Sequence, residues 1–159
     1  MKILRYESKY AAKAGAVWNE VVRAGNAFPQ ENEMSPEEAD TFFLEQTFTA
    51  LAEENGEILG LYILHPNNIG RCGHIANASY AVASGARGRH IGEQLVRHCL
   101  KTAKESGFLI LQFNAVVASN KAALALYQKL DFTRMATIPG GFRLPDGSYE
   151  DIVPHYITL

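Results

Sequence analysis

The stretch Arg87-Gly88-Arg89-His90-Ile91-Gly92-Glu93 stands where a strand-like run gives way to a helical one, and its residue types suit phosphate. The first amides of a helix have no partners within it, and the macrodipole is positive at that end. Such a turn binds phosphate readily. Gly88 and Gly92 let ligand oxygens approach the backbone, while Arg87 and Arg89 add positive charge. An ordinary polar turn has the same composition, so the stretch alone leaves both readings open. Two other nucleotide devices are excluded on their mechanics. No Gly-rich loop ends in Gly-Lys-Ser/Thr, which a magnesium triphosphate needs, and the turn lacks the Gly-x-Gly-x-x-Gly of dinucleotide folds.

A succession of short elements must hold this turn. Ile3 to Tyr6 reads as a strand, and Ala14, Val17, Trp18, Val21 and Val22 recur at helical spacing until Gly25. Asn26 to Glu31 is a loop containing Phe28, and Ser35-Pro36-Glu37-Glu38 carries the N-cap, proline and capping glutamate that begin a second helix. Phe48 to Ala52 and Ile58 to Leu64 are strands joined at Asn55-Gly56, a strong antiparallel hairpin signal. His74 to Ala83 predicts a strand, Ile91, Leu95, Cys99 and Ala103 the buried stripe of a third helix ending at Gly107, and Phe108 to Val117 an apolar strand. Strand, helix, strand in this order predicts a parallel pair with a right-handed crossover. A fourth helix through Ala122, Leu126 and Leu130 starts near Ser119 or Asn120. Strands over Phe132 to Ile138 and Ile152 to Leu159 follow, with a turn at Pro145-Asp146-Gly147 between them.

The 159 residues are 47% hydrophobic and 20% charged, which predicts one α/β domain over 1–159 with a sizeable core. With 15 Lys+Arg against 17 Asp+Glu, the chain has too little positive charge to expect attraction to nucleic acid or an anionic membrane. MKILRYESKY lacks a signal-peptide core and no segment approaches the roughly 20 apolar residues that span a bilayer, so a cytoplasmic protein is expected. The two cysteines, Cys72 and Cys99, make no disulfide framework. Cys72-Gly73-His74 offers too few ligands for zinc, so no metal is expected.

Arg87-x-x-His90-x-Gly92 before a helix, the following apolar strand, then Asn120-Lys121-Ala122-Ala123-Leu124-Ala125-Leu126-Tyr127 and Asp131-Phe132 resemble the GCN5-related N-acetyltransferases, the GNAT superfamily. The family pattern is Gln/Arg-x-x-Gly-x-Gly/Ala at the turn, and an Asn, Ala, Leu-Tyr and Gly-Phe series later. Here His90 stands for the first motif glycine and Asp131 for the last. The resemblance spans essentially the whole chain. It implies a mixed, mostly antiparallel sheet with a parallel central pair and four helices.

Acetyl-CoA is the implied cosubstrate, its phosphates meeting the amides of Arg89, His90, Gly92 and Glu93 with Gly88 nearby. Pantetheine would extend the strand at Val82, and the Tyr80 amide would face the thioester oxygen. The implied reaction is direct attack by an amine. Neither cysteine has a His-paired context for a covalent route. Tyr127 is the candidate general acid; a phenol of pKa about 10 donating to a thiolate of about 8.5 is uphill by roughly 2 kcal/mol. Tyr127 would equally suit a boundary aromatic on the fourth helix. No carboxylate lies between His74 and Gly85 to act as base, leaving water, a backbone carbonyl, Glu31, Glu33 or His155.

Asn77, Asn114 and Asn120 fall where acceptor and thioester should meet. Asparagine offers two N–H donors without charge, so a pair could hold a carboxylate in a dry cleft. The trio is similar to the branch that acetylates L-azetidine-2-carboxylate and related proline analogues. That likeness implies Asn77 and Asn114 as acceptor ligands and Asn120 as support for the reacting centre or CoA. Asn114 satisfying backbone groups beside a splayed strand pair is the competing interpretation. The loop Asn26 to Glu31 and the pair Phe142 to Tyr149 should roof the acceptor pocket, with Phe28 and Phe142 as walls and Gly140-Gly141 as a hinge. A phosphinothricin-type antibiotic would also suit the asparagines. The acidic run Glu31, Glu33, Glu37, Glu38 and Asp40 fits a polyamine or a solvated helix face. A CoA-binding sensor without catalysis is a further alternative, and a homodimer is common among similar proteins.

Overall fold

A computed structural model describes residues 1–159. Its strands are β1 (Lys2–Arg5), β2 (Phe48–Glu54), β3 (Glu57–Pro66), β4 (Ile75–Val82), β5 (Ile110–Phe113), β6 (Thr133–Arg134), β7 (Ile138–Arg143), β8 (Tyr149–Ile152) and β9 (His155–Thr158). The helices are α1 (Ala11–Ala24), α2 (Pro36–Leu44), α3 (Ile91–Glu105) and α4 (Lys121–Lys129). Seven strands form one sheet in the order β1-β2-β3-β4-β5-β9-β6, and β7 pairs with β8 apart from it. Only β4 and β5 are parallel, joined through α3. The sheet is thus mixed and mostly antiparallel, with one parallel pair, and is accompanied by four helices.

Local chemistry explains the framework. Asn55 and Gly56 have φ of 53° and 82°, the successive left-handed residues of a tight hairpin turn, so β2 and β3 pair antiparallel as the dipeptide predicts. The capping box at Ser35 and Glu38 opens α2, and Gly25 closes α1 at φ 65°. Alternation along the strands sends Leu51, Leu61 and Ala81 to one face, where α1 and α2 bury Trp18, Phe28 and Phe43. The opposite face gathers Tyr62, Leu64, Ala78 and Phe113 beneath Leu95 and Cys99 of α3. A Cβ on Gly60 would lie 2.8 Å from the Ala81 carbonyl oxygen and 3.1 Å from Leu95. The bare backbone there lets α3 approach β3.

The sheet opens where the site lies. β4 and β5 pair at Ile75 with Ile110 and at Ala76 with Leu111, then separate, while β9 follows β5 from Ile110 to Phe113. Consequently the run Phe108 to Val117 yields strand only over Ile110–Phe113, and Val117 makes an isolated bridge to Ile152. Phe132 to Ile138 likewise divides, its start becoming β6 and its end entering β7. The expected last strand breaks at Val153-Pro154, because proline has no N–H for a ladder, so Ile152 ends β8 and His155 begins β9. No helix is long and apolar enough to cross a membrane.

Candidate functional site

The turn before α3 has the geometry of an anion cradle. His90 is the N-cap of α3 with φ 57° and ψ 21°, a left-handed conformation at the position where the family pattern has glycine. Histidine is among the non-glycine residues enriched in that region. Its side chain is 80% exposed, so it turns to solvent and does not fill the turn. Gly88 has φ 79°. Beyond its own helix turn, a Cβ added to Gly92 would meet nothing closer than Val82 at 3.9 Å, so packing does not require that glycine. The Ser84 N–H donates to Glu20 Oε2 at 2.8 Å, tying the turn to α1 and holding the Glu20 carboxyl below the usual carboxylate range.

A groove of about 760 Å³ runs past this turn, lined by Val82, Arg87, Gly88, His90, Gly92, Glu93, Asn120 and Leu126 among others. Arg89 is not on its wall. Its guanidinium pairs with Glu54 at the end of β2, which corrects the expectation that this side chain adds charge to the cradle. Glu93 faces Lys129 at 2.7 Å and Arg97 at 2.9 Å, and these cations keep its carboxyl low and offset its charge beside the groove.

The wedge between β4 and β5 leaves backbone groups free. The Ala83 N–H donates to the Leu59 carbonyl on β3, whereas the His74 carbonyl accepts from Leu109 on the β5 side. Alternation therefore turns the odd residues of β4 toward β3 and the amides of Tyr80 and Val82 toward the wedge. The Tyr80 ring points elsewhere. Its hydroxyl is buried without a partner near Cys99, and burial raises the phenol pKa well above its ordinary value.

A second cavity of about 210 Å³ occupies the open wedge, lined by Phe28, Asn77, Tyr80, Asn114, Asn120 and Tyr127 among others. The structure thus brings together residues far apart in sequence. Tyr80, Phe113 and Tyr127 supply its aromatic side, the Tyr127 and Phe113 rings lying 4.6 Å apart. Burial moves the Tyr127 phenol above its ordinary pKa. Asn77 and Asn114 belong to the other face. Each donates its Nδ2 to Asn67 Oδ1, at 3.1 and 2.6 Å, so Asn67 is a residue of the site that the sequence did not reveal. Asn120 is the N-cap of α4, its Oδ1 accepting from the Ala123 N–H at 3.2 Å, which leaves its Nδ2 for other contacts.

Phe28 also walls an outer cavity of about 470 Å³ with Glu31, Phe142, Arg143 and Pro145, placing the expected roof segments against each other. The candidate bases fare differently. Glu31 pairs with Arg143 and Glu33 with Arg23. Neither lines the inner cavity, nor does His155, whose Nδ1 meets the Val153 carbonyl at 2.7 Å and whose pKa burial lowers. The rest of the acidic run is engaged as well: Glu37 and Glu38 bond to Ser35, and Asp40 accepts from Tyr6. No group of three His, Cys, Asp or Glu could hold a metal ion.

A split sheet with a helix N-terminus on one flank and a polar cavity in the opening has room for an acyl donor beside an acceptor, the arrangement an acyl-group transferase needs. The family model for acetyltransferase (GNAT) matches residues 16–132, and the chain belongs to that family. It is 30% identical over 156 residues to the N-acetyltransferase aca1 of Schizosaccharomyces pombe, covering 87% of this chain and 74% of that protein. A GCN5-related N-acetyltransferase from Kribbella flavida superposes with a TM-score of 0.91 at 30% identity, over 99% of this chain and 97% of the other. A phosphinothricin acetyltransferase from Sinorhizobium meliloti, solved in complex with acetyl-CoA, shares the fold at 18% identity, with a TM-score of 0.91 over 99% and 88% of the two chains.

Proposed function

We propose that the protein moves acetyl from acetyl-CoA to the amine of a small amino-acid-like acceptor, by direct attack in a ternary complex. The observation that carries this is a junction: Ala27, Tyr80 and Asn120 line both the groove and the inner cavity. A thioester lying along the groove can therefore present its carbonyl to an amine held in the wedge. The inner cavity is the size of about seven water molecules at roughly 30 Å³ each, which suits a small acceptor.

Each group then has a task set by its chemistry. The amides of Arg89, His90, Gly92 and Glu93 hold the diphosphate, aided by the Arg87 side chain and the room at Gly88 and Gly92. The free backbone of Val82 holds the pantetheine amides, and the Tyr80 N–H stabilises charge developing on the thioester oxygen. Tyr127 donates a hydrogen bond to the departing sulfur. Because burial raises its pKa, the phenol stays protonated and supports the thiolate by that bond more than by full proton transfer. Asn77 and Asn114 grip an acid group of the acceptor, with Phe28 as an apolar wall and Phe142 facing Phe28 across the outer cavity. The phosphinothricin acetyltransferase among its structural neighbours keeps that compound in the acceptor class.

Thiol release measured with L-azetidine-2-carboxylate, phosphinothricin, spermidine and a peptide tests the assignment. Turnover of the amino acids above spermidine and peptide is expected. Preference for spermidine or peptide overturns the acceptor class. Tight CoA binding with no amine acetylated overturns the enzyme assignment in favour of a sensor.

A further inference from the structure

The two asparagines of the inner cavity stand on opposite sides of the opening, Asn77 on β4 and Asn114 just beyond β5. As the strands diverge, nothing in the ladder fixes the distance between such residues. Their shared partner does. Asn67 Oδ1 accepts from Asn77 Nδ2 at 3.1 Å and from Asn114 Nδ2 at 2.6 Å. Gln112 Nε2 donates to Asn114 Oδ1 at 3.0 Å, which engages that oxygen too.

Asn67 is itself held in place. Its backbone N–H donates to the Ile75 carbonyl at 2.8 Å, continuing the β3–β4 register by one residue past Pro66 and Ala76. Asn67 therefore lies opposite Ile75, diagonal to Asn77 on the same face of the sheet. Alternation from the Ile75–Ile110 pair puts Gln112 and Asn114 on that face as well.

Each carboxamide nitrogen carries two hydrogens. Asn77 and Asn114 line the inner cavity and Asn67 does not, so it engages one hydrogen of each from behind. One N–H on each asparagine is left for the cavity. Gln112 takes one lone pair of the Asn114 oxygen and so holds that carboxamide from a second side. A donor on each wall suits a carboxylate, which only accepts.

We propose that Asn67 is a positioning residue that yokes Asn77 and Asn114 into a donor pair, and so sets the enzyme's preference for acceptors carrying a carboxylate beside the amine. The inference rests on the acid-gripping role given above to Asn77 and Asn114. Asn67 touches neither the thioester nor the amine. It acts only through the two amides.

Asn67→Ala, Asn77→Ala and Asn114→Ala are compared with the unaltered enzyme on L-azetidine-2-carboxylate and its methyl ester, with acetyl-CoA affinity and melting temperature measured for each. For Asn67→Ala, KM for the acid rises about tenfold, the scale of one misdirected hydrogen bond to a charged group. Its kcat, its KM for the ester and its acetyl-CoA affinity stay within twofold. An equal rise for acid and ester, or a fall in kcat with KM unchanged, overturns the positioning role. If Asn77→Ala and Asn114→Ala raise KM for the acid alone while Asn67→Ala leaves it unchanged, the grip stands and the yoke is wrong. If neither asparagine variant discriminates acid from ester, or the unaltered enzyme acetylates neither compound, the acid-gripping role falls and the yoke with it.

Discussion

Gly92 shows how a single residue can serve a ligand at no benefit to the fold. It lies in the first turn of α3, where alanine would suit the helix better, by up to about 1 kcal/mol in a helix interior and less near an end. The added methyl would meet nothing outside its own helix turn closer than 3.9 Å. Gly92→Ala should therefore melt at the same temperature or slightly higher, yet bind acetyl-CoA at least about tenfold more weakly by calorimetry. Unchanged affinity would remove the diphosphate from this turn. The helix start at the turn and the cap of α4 at Asn120 were legible because short local patterns mark them, whereas Tyr127 was singled out by the family resemblance. Asn67 was not. Its link to Asn77 and Asn114 depends on the β3–β4 register and on β5 leaving β4, which no local pattern encodes. The direction of the Arg89 side chain was hidden for the same reason, since Glu54 lies on a distant strand.

At the scale of elements, those with strong terminal chemistry were the legible ones. α2 is the clearest, because Ser35 accepts from the Glu38 N–H at 3.2 Å while Glu38 accepts from the Ser35 N–H at 2.8 Å. With only 9 residues, the helix depends heavily on that cap. Ser35→Ala should cost about 1 kcal/mol in urea denaturation. Since Phe43 of α2 packs with Trp18, which stacks on Phe28 at 4.2 Å, the same substitution should loosen the acceptor loop and raise acceptor KM more than acetyl-CoA KM. Equal stability of variant and parent would mean the box is not the principal closure of this helix end. The strands after Phe113 were harder to read. Apolar residues continue through Val117, but they serve the small cluster of Val117, Phe142 and Ile152 in place of the main sheet. Composition could not separate those two destinations, whereas Pro154 did offer a local reason for the break before β9.

For the whole molecule, the split sheet divides labour between its faces: Tyr80, Phe113 and Tyr127 on the α3 side, Asn77 and Asn114 with Phe28 on the α1 side, and no Asp, Glu, Lys or His on the wall of the cavity between them. An acceptor entering as an ammonium must lose its proton before it can attack, and no carboxylate, imidazole or amine side chain lines the place where attack would occur. The acid limb of kcat/KM should then follow the acceptor's own amine pKa, falling tenfold per pH unit below it and moving when the amine is changed. At the alkaline end, burial keeps the Tyr127 phenol protonated past its ordinary value of about 10, so no loss attributable to it should occur below that pH. Tyr127→Phe should lower kcat by about a hundredfold, within the range for a lost general acid, without shifting the acid limb. Two acceptors whose ammonium pKa values differ by about one unit make the test. If both give the same acid limb, a residue of the protein is the base. His155 would be examined first, because its ring lies 5.7 Å from that of Tyr127 and burial lowers its pKa from the usual 6.5, leaving it neutral at pH 7.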